Sequence, residues 1–371
     1  MFCHRTGCGY VTSAVLFIAA GCTSVDAHLQ DYAQAAGSPA VAAASLQPST
    51  FDATQAAGSP AYHAESPPPS AAFQAFAAGA PGPSVRRPVP GRSARTVLHE
   101  ELNEAENLFF TDDGRLFVSG GEDIYEIKRE PDGTFTKTDH FDEDCLVEGI
   151  VRSGQYLYGV CTLNNDDSQP SFLIAGELSA QPVFRTIAPL DAGSIPNGMT
   201  VDAEGRIYIT ETLTHQIVRV TLASPLEVKR TEVWATDILL VNGIKYLDHA
   251  MYVTMIDATL VSRFLRIPML PDGSAGRPER LYARVLTVLD DIITFDGGFI
   301  ITDFLKGTLI FWDERRGAYA ETPAQTFYGP TSLAQGQRPM FTERQLIVAE
   351  KGMYLVRDER DGDLLSMYQL P

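Results

Sequence analysis

The sequence carries little positive charge for its length and lacks the short motifs that mark several large enzyme classes. Its 371 residues contain 29 Lys and Arg against 47 Asp and Glu, a formal net charge of −18. Proteins that bind nucleic acid need clustered Lys and Arg against the phosphates, so nucleic acid is not expected as a partner. GxSxG, HExxH, CxxC and phosphate-binding glycine loops are also absent. Serine-hydrolase, zinc-peptidase and nucleotide-dependent activities therefore have no support.

No apolar run of the sequence is long enough to span a membrane, and the strongest one lies near the N-terminus. VTSAVLFIAA follows His4 and Arg5 and is too short to span a bilayer, but it has the length of a signal-peptide core. The small residues that follow end at Cys22, an arrangement that resembles the lipobox of bacterial lipoproteins, although Ala19 stands where Leu is usual. The resemblance implies that residues 1–21 are a signal peptide and that Cys22 is acylated. A plain secretory signal is the alternative.

A lipid on Cys22 would place the protein in the bacterial cell envelope. Acyl chains attach a protein to a membrane without a spanning helix, so the membrane would be a partner through the anchor alone. Thr23 follows the cysteine, and among lipoproteins a residue other than Asp there favours the outer membrane, facing the periplasm or the exterior.

The segment that follows, residues 22–95, is rich in Ala, Pro, Ser and Gly and contains QAAGSPA twice. Such a composition buries too little apolar surface to offset the entropy of ordering. We predict a disordered tether that holds the following domain away from the membrane.

The folded domain is predicted for residues 96–371, where short β-branched and aromatic runs alternate with turn residues. A polar residue opens an apolar run six times, at intervals of 42, 49, 45, 49 and 40 residues. The six openings are Glu106, Glu148, Asn197, Asn242, Asp291 and Thr331. Each opening precedes two further alternating runs, the last of which is GMYLVRDE. No long run of helical period appears, and the repeat length is typical of propeller blades, so we predict an all-β, six-bladed β-propeller.

In a propeller the first strand of every blade lines the central axis. The six opening residues should therefore form a ring of carboxylate, amide and hydroxyl oxygens at one end of that axis. Oxygen ligands without thiolate or imidazole are those that Ca²⁺ prefers, and gathered carboxylates need a cation or protons between them. The alternative is that Asn and Asp at these positions only form turns, which does not account for Glu106 or Glu148.

The ordered motifs also resemble a known superfamily. AENLFF with DGRLFVSGG, PNGMTVDAEGRIYITET, DDIITFDGGFIITD and GPTSLAQGQ are similar to blade motifs of the six-bladed propellers that include regucalcin, gluconolactonases, paraoxonases and strictosidine-synthase-like proteins. The resemblance covers residues 101–371. It implies a divalent metal, commonly Ca²⁺, held by Glu106, Asn197, Asn242 and Asp291.

The same resemblance suggests catalytic roles. Asp291 is the candidate ligand and general base, with Asp290 as the less favoured alternative, and Glu148 is the acid that could act beside the metal. Paraoxonases have His-Gly where this chain has Glu148 and Gly149, and Ile195 stands where some gluconolactonases have Arg. The missing arginine argues against a sugar-lactone substrate.

Two cysteines of the folded domain are predicted to face each other. Cys145 and Cys161 bracket one hairpin that turns near Ser153 and Gly154. An oxidising envelope would allow a disulfide between them; two buried free thiols are the alternative.

These inferences lead to two main functions. The first is a monomeric, calcium-dependent hydrolase of a small-molecule lactone or related ester, displayed on the cell envelope. The second is a non-catalytic, metal-containing propeller lipoprotein that binds a ligand or another envelope protein. A lyase or condensing activity of the strictosidine-synthase type is a third possibility, for which no substrate-specific residue is visible.

Overall fold

The computed structural model describes residues 89–371 apart from 143–144, 164–169, 258, 260 and 353–362. The predicted signal peptide, Cys22 and residues 23–88 of the predicted tether therefore lie outside the described residues. Residues 89–95, predicted as the end of the tether, are described and belong instead to the folded domain. Within the described part, no helix is long and apolar enough to cross a membrane.

The described chain forms six four-stranded antiparallel sheets, which are the blades of a β-propeller. Five blades each use four consecutive strands. Blade one contains β2 (Ala105–Phe110), β3 (Leu116–Gly120), β4 (Asp123–Arg129) and β5 (Phe135–Asp142). Blade two contains β6 (Cys145–Ser153), β7 (Tyr156–Leu163), β8 (Pro170–Glu177) and β9 (Phe184–Ala192). Blade three contains β10 (Pro196–Val201), β11 (Ile207–Glu211), β12 (Gln216–Ser224) and β13 (Glu227–Ala235).

The remaining blades keep the same plan until the ring closes. Blade four contains β14 (Val241–Leu247), β15 (Ala250–Ile256), β16 (Val261–Pro268) and β17 (Glu279–Val285). Blade five contains β18 (Leu289–Phe295), β19 (Gly298–Asp303), β20 (Thr308–Asp313) and β21 (Gly317–Glu321). The first strands of neighbouring blades contact each other all round, including the first and the last blade, so the propeller is closed. The prediction of six blades is confirmed.

Blade six is built from both ends of the domain. A short 3-10 helix, Arg92–Ala94, leads into β1 (Arg95–His99). Its sheet has the order β1, β24 (Leu364–Gln369), β23 (Gln345–Glu350), β22 (Pro330–Gln335). The third strand, expected from the run GMYLVRDE, is β24, which pairs along the whole of β23. Most of that run lies outside the described residues.

The period-two pattern of each strand explains how the blades pack. In β11, Ile207 and Ile209 pack against residues of blade two such as Val160, whereas Tyr208 between them packs against Val253 of blade four. Alternate side chains of a strand point to opposite faces, and here both faces are buried between blades. The interior is thus a series of apolar layers around the axis.

Cys145 and Cys161 form a disulfide in blade two, with their Cα atoms 5.7 Å apart. Cys161 pairs with Val147 in the register of β6 and β7, and Cys145 pairs with Leu163, so the bridge runs diagonally between the strands. Both cysteines are buried, and the bridge lies next to the strand segment that carries Glu148.

Candidate active site at the propeller axis

Each blade has a register shift at the start of its first strand, and the polar opening residue lies at that shift. The shift falls between Ala105 and Asn107 in blade one, and the same irregularity recurs in the other five. A bulge leaves the extra residue outside the regular pairing and re-aims its side chain. This repeated bulge explains why a polar residue can open an apolar strand.

The register places Asp290, rather than Asp291, at the position equivalent to the two asparagines. Leu289 pairs with Asp303 in blade five as Val241 pairs with Met255 in blade four, so the next residues, Asp290 and Asn242, correspond. Asp291 lies one residue further along and corresponds to Gly243. The choice of Asp291 as the ring member is therefore corrected: the adjacent pair of aspartates hid a one-residue difference that only the pairing resolves.

The ring residues are fixed by hydroxyl groups on the neighbouring second strands. Thr254 Oγ1 accepts a hydrogen bond from the backbone N–H of Gly243 at 2.8 Å and donates to the backbone carbonyl of Asp290 in the next blade. The same bridge is made by Thr210 to the carbonyl of Asn242 at 2.5 Å and by Ser119 to that of Glu148 at 2.5 Å. Sequence reasoning overlooked these hydroxyls, although they recur as VSGG, ITET, VTMI and ITDF.

Glycine at the residue after the bulge allows the blades to approach near the axis. A Cβ atom at Gly149, Gly198 or Gly243 would collide with a backbone carbonyl of the following blade. These glycines are required by close approach of two backbones, because no side chain fits there. They narrow the axis and bring the ring side chains together.

The loop before Asn242 is held by His215. Its Nδ1 lies 2.9 Å from the carbonyl oxygen of Thr212 and 3.2 Å from the backbone nitrogen of Leu240. The backbone N–H of Ile238 donates to the carbonyl of His215. This histidine therefore lies on the loops near the ring and positions the segment that leads to Asn242.

Four carboxyl groups, those of Glu104, Glu106, Glu148 and Asp290, surround one lysine at the ring. Nζ of Lys351 lies 2.8 Å from Oε2 of Glu106, 3.6 Å from Glu104 and 4.0 Å from Oε2 of Glu148. Glu106, Glu148, Asp290 and Lys351 are all buried. Lys351 was missed by the sequence reasoning because it follows the second strand of the last blade rather than opening a first strand.

Burial raises the pKa values of two ring acids, Glu148 and Asp290, because the attraction of Lys351 does not offset the cost of burying their charge. Burial raises the pKa of Glu148 to about 8; the Lys351 ammonium opposes the rise, and the charges of Glu106 and Glu104 add to it. Burial, reinforced by Glu106 and Asp291, also raises the pKa of Asp290 well above its usual range. Perturbed acids of this kind cluster at functional sites.

Asp291 is a well-satisfied carboxylate. Its Oδ2 accepts a hydrogen bond from Ser332 Oγ at 2.5 Å and from Asn107 Nδ2 at 3.4 Å, and its Oδ1 accepts one from the backbone N–H of Ile292 at 2.7 Å. Burial raises the pKa of Asp291, whereas Lys245 and these donors lower it. Its contacts join blades one, five and six.

The oxygen donors of the ring fit a hard divalent cation. Oε2 of Glu148 and Oδ1 of Asn242 are buried and accept no hydrogen bond from the described residues. Buried polar atoms without a partner are rare and costly, and carboxylate and amide oxygens are calcium ligands. His, Cys, Asp and Glu of the described chain do not by themselves form a group of three able to hold a metal. Amide oxygens such as those of Asn242 and the half-buried Asn197 would therefore have to contribute.

Comparison with known proteins supports the propeller fold but does not assign an activity or a metal. No protein-family model matches the chain, and no curated protein sequence matches it. A gluconolactonase from Xanthomonas campestris superposes with a TM-score of 0.54 at 14% identity, covering 79% of this chain and 99% of that one. A putative oxidoreductase (glucose dehydrogenase) from Thermus thermophilus gives 0.55 at 13%, covering 74% and 98%. The PQQ-bound aldose sugar dehydrogenase from Streptomyces coelicolor gives 0.54 at 14%, covering 74% and 97%.

The fold and the site define a class. The chain is a six-bladed β-propeller whose first strands carry buried acids and a buried amide beside one buried lysine. It shares the propeller fold with the solved structures above.

Proposed function

We propose that the axial ring binds a divalent cation, with Ca²⁺ as the expected ion, and that the protein hydrolyses a lactone or related ester there. The carrying observation is that one buried oxygen of Glu148 and one of Asn242 accept no hydrogen bond from the part of the chain that the structure describes. The raised pKa values of Glu148 and Asp290 support it. The gluconolactonase with the same fold makes this reaction class a reasonable candidate.

Glu106, Asn197, Asn242 and Asp290 would hold the ion. When bound, such a cation acts as a Lewis acid that polarises a carbonyl and stabilises the developing oxyanion. The protein's own groups would then handle protons. With a pKa of about 8, Glu148 holds a proton at neutral pH but can release it, the balance that a general acid or base needs.

The acid–base role moves from Asp291 to Asp290 in this proposal. Asp291 keeps both oxygens engaged by donors from three residues, which suits a carboxylate that orients its neighbours. Asp290 lies at the ring position itself, where its carboxylate would both hold the ion and accept a proton as the general base.

The test is a calcium titration of the purified full-length chain, with melting temperature and hydrolysis of a lactone panel followed in the same samples. Asp290→Asn and Glu148→Gln should lose turnover by about 100-fold or more, as is usual for a lost acid–base group. Asp248→Asn, an exposed carboxylate, serves as the control for charge removal. Full turnover in both ring variants would remove the proposed chemistry.

A second candidate function is a binding propeller without catalysis. It is favoured by the ion pair between Lys351 and Glu106, which already compensates one ring carboxylate. It is also favoured by Glu148 standing where the paraoxonase-like motif has histidine. In this case calcium would raise the melting temperature while none of the lactones is hydrolysed, and the ring would serve the stability of a ligand-binding scaffold.

Display on the cell envelope is part of the same proposal. Its support is the lipobox-like sequence ending at Cys22 and the Ala/Pro/Ser-rich segment after it. Labelled palmitate should be incorporated into the wild-type protein expressed in a bacterium, and Cys22→Ser should remain unlabelled. Equal labelling of both proteins would exclude Cys22 as the anchor.

A further inference from the structure

The axial ring contains a cation of its own, the ammonium group of Lys351. This side chain is buried, and its Nζ lies between acids of two different segments, at 2.8 Å from Glu106 and 3.6 Å from Glu104 in the first, and at 4.0 Å from Glu148 in the second. Glu106 and Glu148 come from blades one and two, whereas the lysine comes from blade six. The lysine therefore bridges the joint at which the propeller closes.

The backbone fixes the lysine in this place. Its N–H donates to the carbonyl of Gly329 at 3.0 Å, and the N–H of Gly352 donates to the carbonyl of Tyr328 at 3.1 Å. Both partners belong to the loop before β22, so the residue is held directly after β23. A side chain that leaves a strand end held on both sides has few alternative directions.

This one ammonium does not provide a hydrogen bond to every acceptor of the ring. Glu106, Glu148 and Asp290 are buried together with a single lysine, and one oxygen of Glu148 and the amide oxygen of Asn242 still lack a hydrogen-bond donor among the described residues. These two oxygens, on Glu148 and Asn242, could therefore contact a second cation, whereas Glu106 is already paired with Lys351.

We propose that Lys351 is a tethered competitor of the divalent cation and sets the affinity of the ring. A divalent ion that binds Glu106 has to displace the ammonium or tolerate a positive charge a few ångströms away, and either event weakens binding. The inference rests on the proposed metal site. It concerns affinity, however, and is measured independently of catalysis.

The test compares calcium affinity in wild type and Lys351→Met by isothermal titration calorimetry of the full-length chain, with the calcium dependence of the melting temperature as a second readout. Loss of a unit charge in contact with the ligands should tighten binding about tenfold or more. Lys229→Met removes an exposed lysine on an outer strand and should leave the affinity unchanged.

Lys351→Gln keeps a hydrogen-bond donor near Glu106 but no charge, and it should show the same gain as the methionine variant. Unchanged or weaker calcium binding in these variants would overturn the inference. Failure of both variants to fold at every calcium concentration would overturn it too, because calcium would then be unable to replace the ammonium.

The outcomes separate this inference from the proposed activity. Tighter calcium binding in the lysine variants, without lactone hydrolysis in any sample, would support competition by Lys351 and contradict the proposed hydrolase activity. Calcium-dependent hydrolysis in wild type, with unchanged calcium affinity in the lysine variants, would support the hydrolase activity and contradict competition by Lys351.

Discussion

Arg95 and Glu350 form a buried, bidentate ion pair although they lie 255 residues apart in the chain. Nε and Nη2 of Arg95 lie 2.7 and 2.8 Å from the two carboxylate oxygens of Glu350. The backbone N–H of Tyr328 donates to the same carboxylate at 2.6 Å. The pair ties the first strand of the domain to the last blade, which makes it part of the closure of the propeller.

Arg95→Ala should therefore destabilise the whole domain. It leaves the fully buried Glu350 carboxylate without its counter-ion, which typically costs about 3–5 kcal/mol. The free energy of unfolding in urea measures the effect. Arg280→Ala, an exposed arginine on an outer strand, should change it by about 0.5 kcal/mol at most. Equal effects of the two substitutions would contradict a role for the pair in closure.

The hydroxyl of Thr254 should contribute to the ring independently of any metal. Thr254→Val keeps the side-chain shape but leaves the buried N–H of Gly243 and the carbonyl of Asp290 short of a partner. Such losses cost about 1–3 kcal/mol. Thr254→Ser retains the hydroxyl and should recover most of the stability. Thermal unfolding of the two variants decides, and a valine variant as stable as the serine variant would count against the bridge.

The stability of the metal-free protein should fall as the pH rises from about 5 to 8. The pKa of Glu148 is raised from 4.5 to about 8 in the folded state, so the folded state keeps a proton that the unfolded chain has already released. Rising pH therefore favours unfolding, by up to about 1.4 kcal/mol per pH unit for one such group. Asp290 contributes in the same direction.

Glu148→Gln should flatten this pH dependence because glutamine does not titrate. The measurement is urea denaturation at several pH values in the presence of a chelator. A wild-type protein that becomes more stable between pH 5 and pH 8, or a glutamine variant with the wild-type slope, would refute the buried, protonated state of Glu148.

The disulfide should stabilise the second blade and with it the ring. Cys145 and Cys161 are separated by 16 residues, and closing a loop of this size contributes about 3 kcal/mol in the chain-entropy model. The double variant Cys145→Ser and Cys161→Ser should unfold at lower urea concentration than wild type, and reductant should lower the wild-type midpoint towards the variant. A midpoint insensitive to both changes would mean that the bridge carries no stability.

Much of the fold follows from local patterns. Runs such as IYITE have period two because alternate residues face neighbouring blades. Gly205, which has a positive φ, lies in the turn between β10 and β11. Repetition of this unit fixed the number of blades in advance. The polar openings at Glu106, Glu148, Asn197 and Asn242 were also visible, because a bulge needs a residue that can leave the regular pairing.

The composition of the site was less predictable. Asp290 and Asp291 are neighbours of the same type, and only the pairing of β18 with β19 decides which one corresponds to Asn242. Lys351 belongs to no repeated position, so no pattern in the sequence connects it with Glu106. The two residues meet because the sixth blade lies beside the first.

The sequence by itself thus determined the six β-repeats, their polar openings and the acidic character of the chain, since these depend on spacing and residue type within about 50 residues. Only the tertiary structure decided the closure and the charge balance of the ring. Both ends of the folded domain enter blade six, Arg95 contacts Glu350, and Lys351 contacts Glu106. These contacts join residues that are hundreds of positions apart, and closing the circle of blades brings them together.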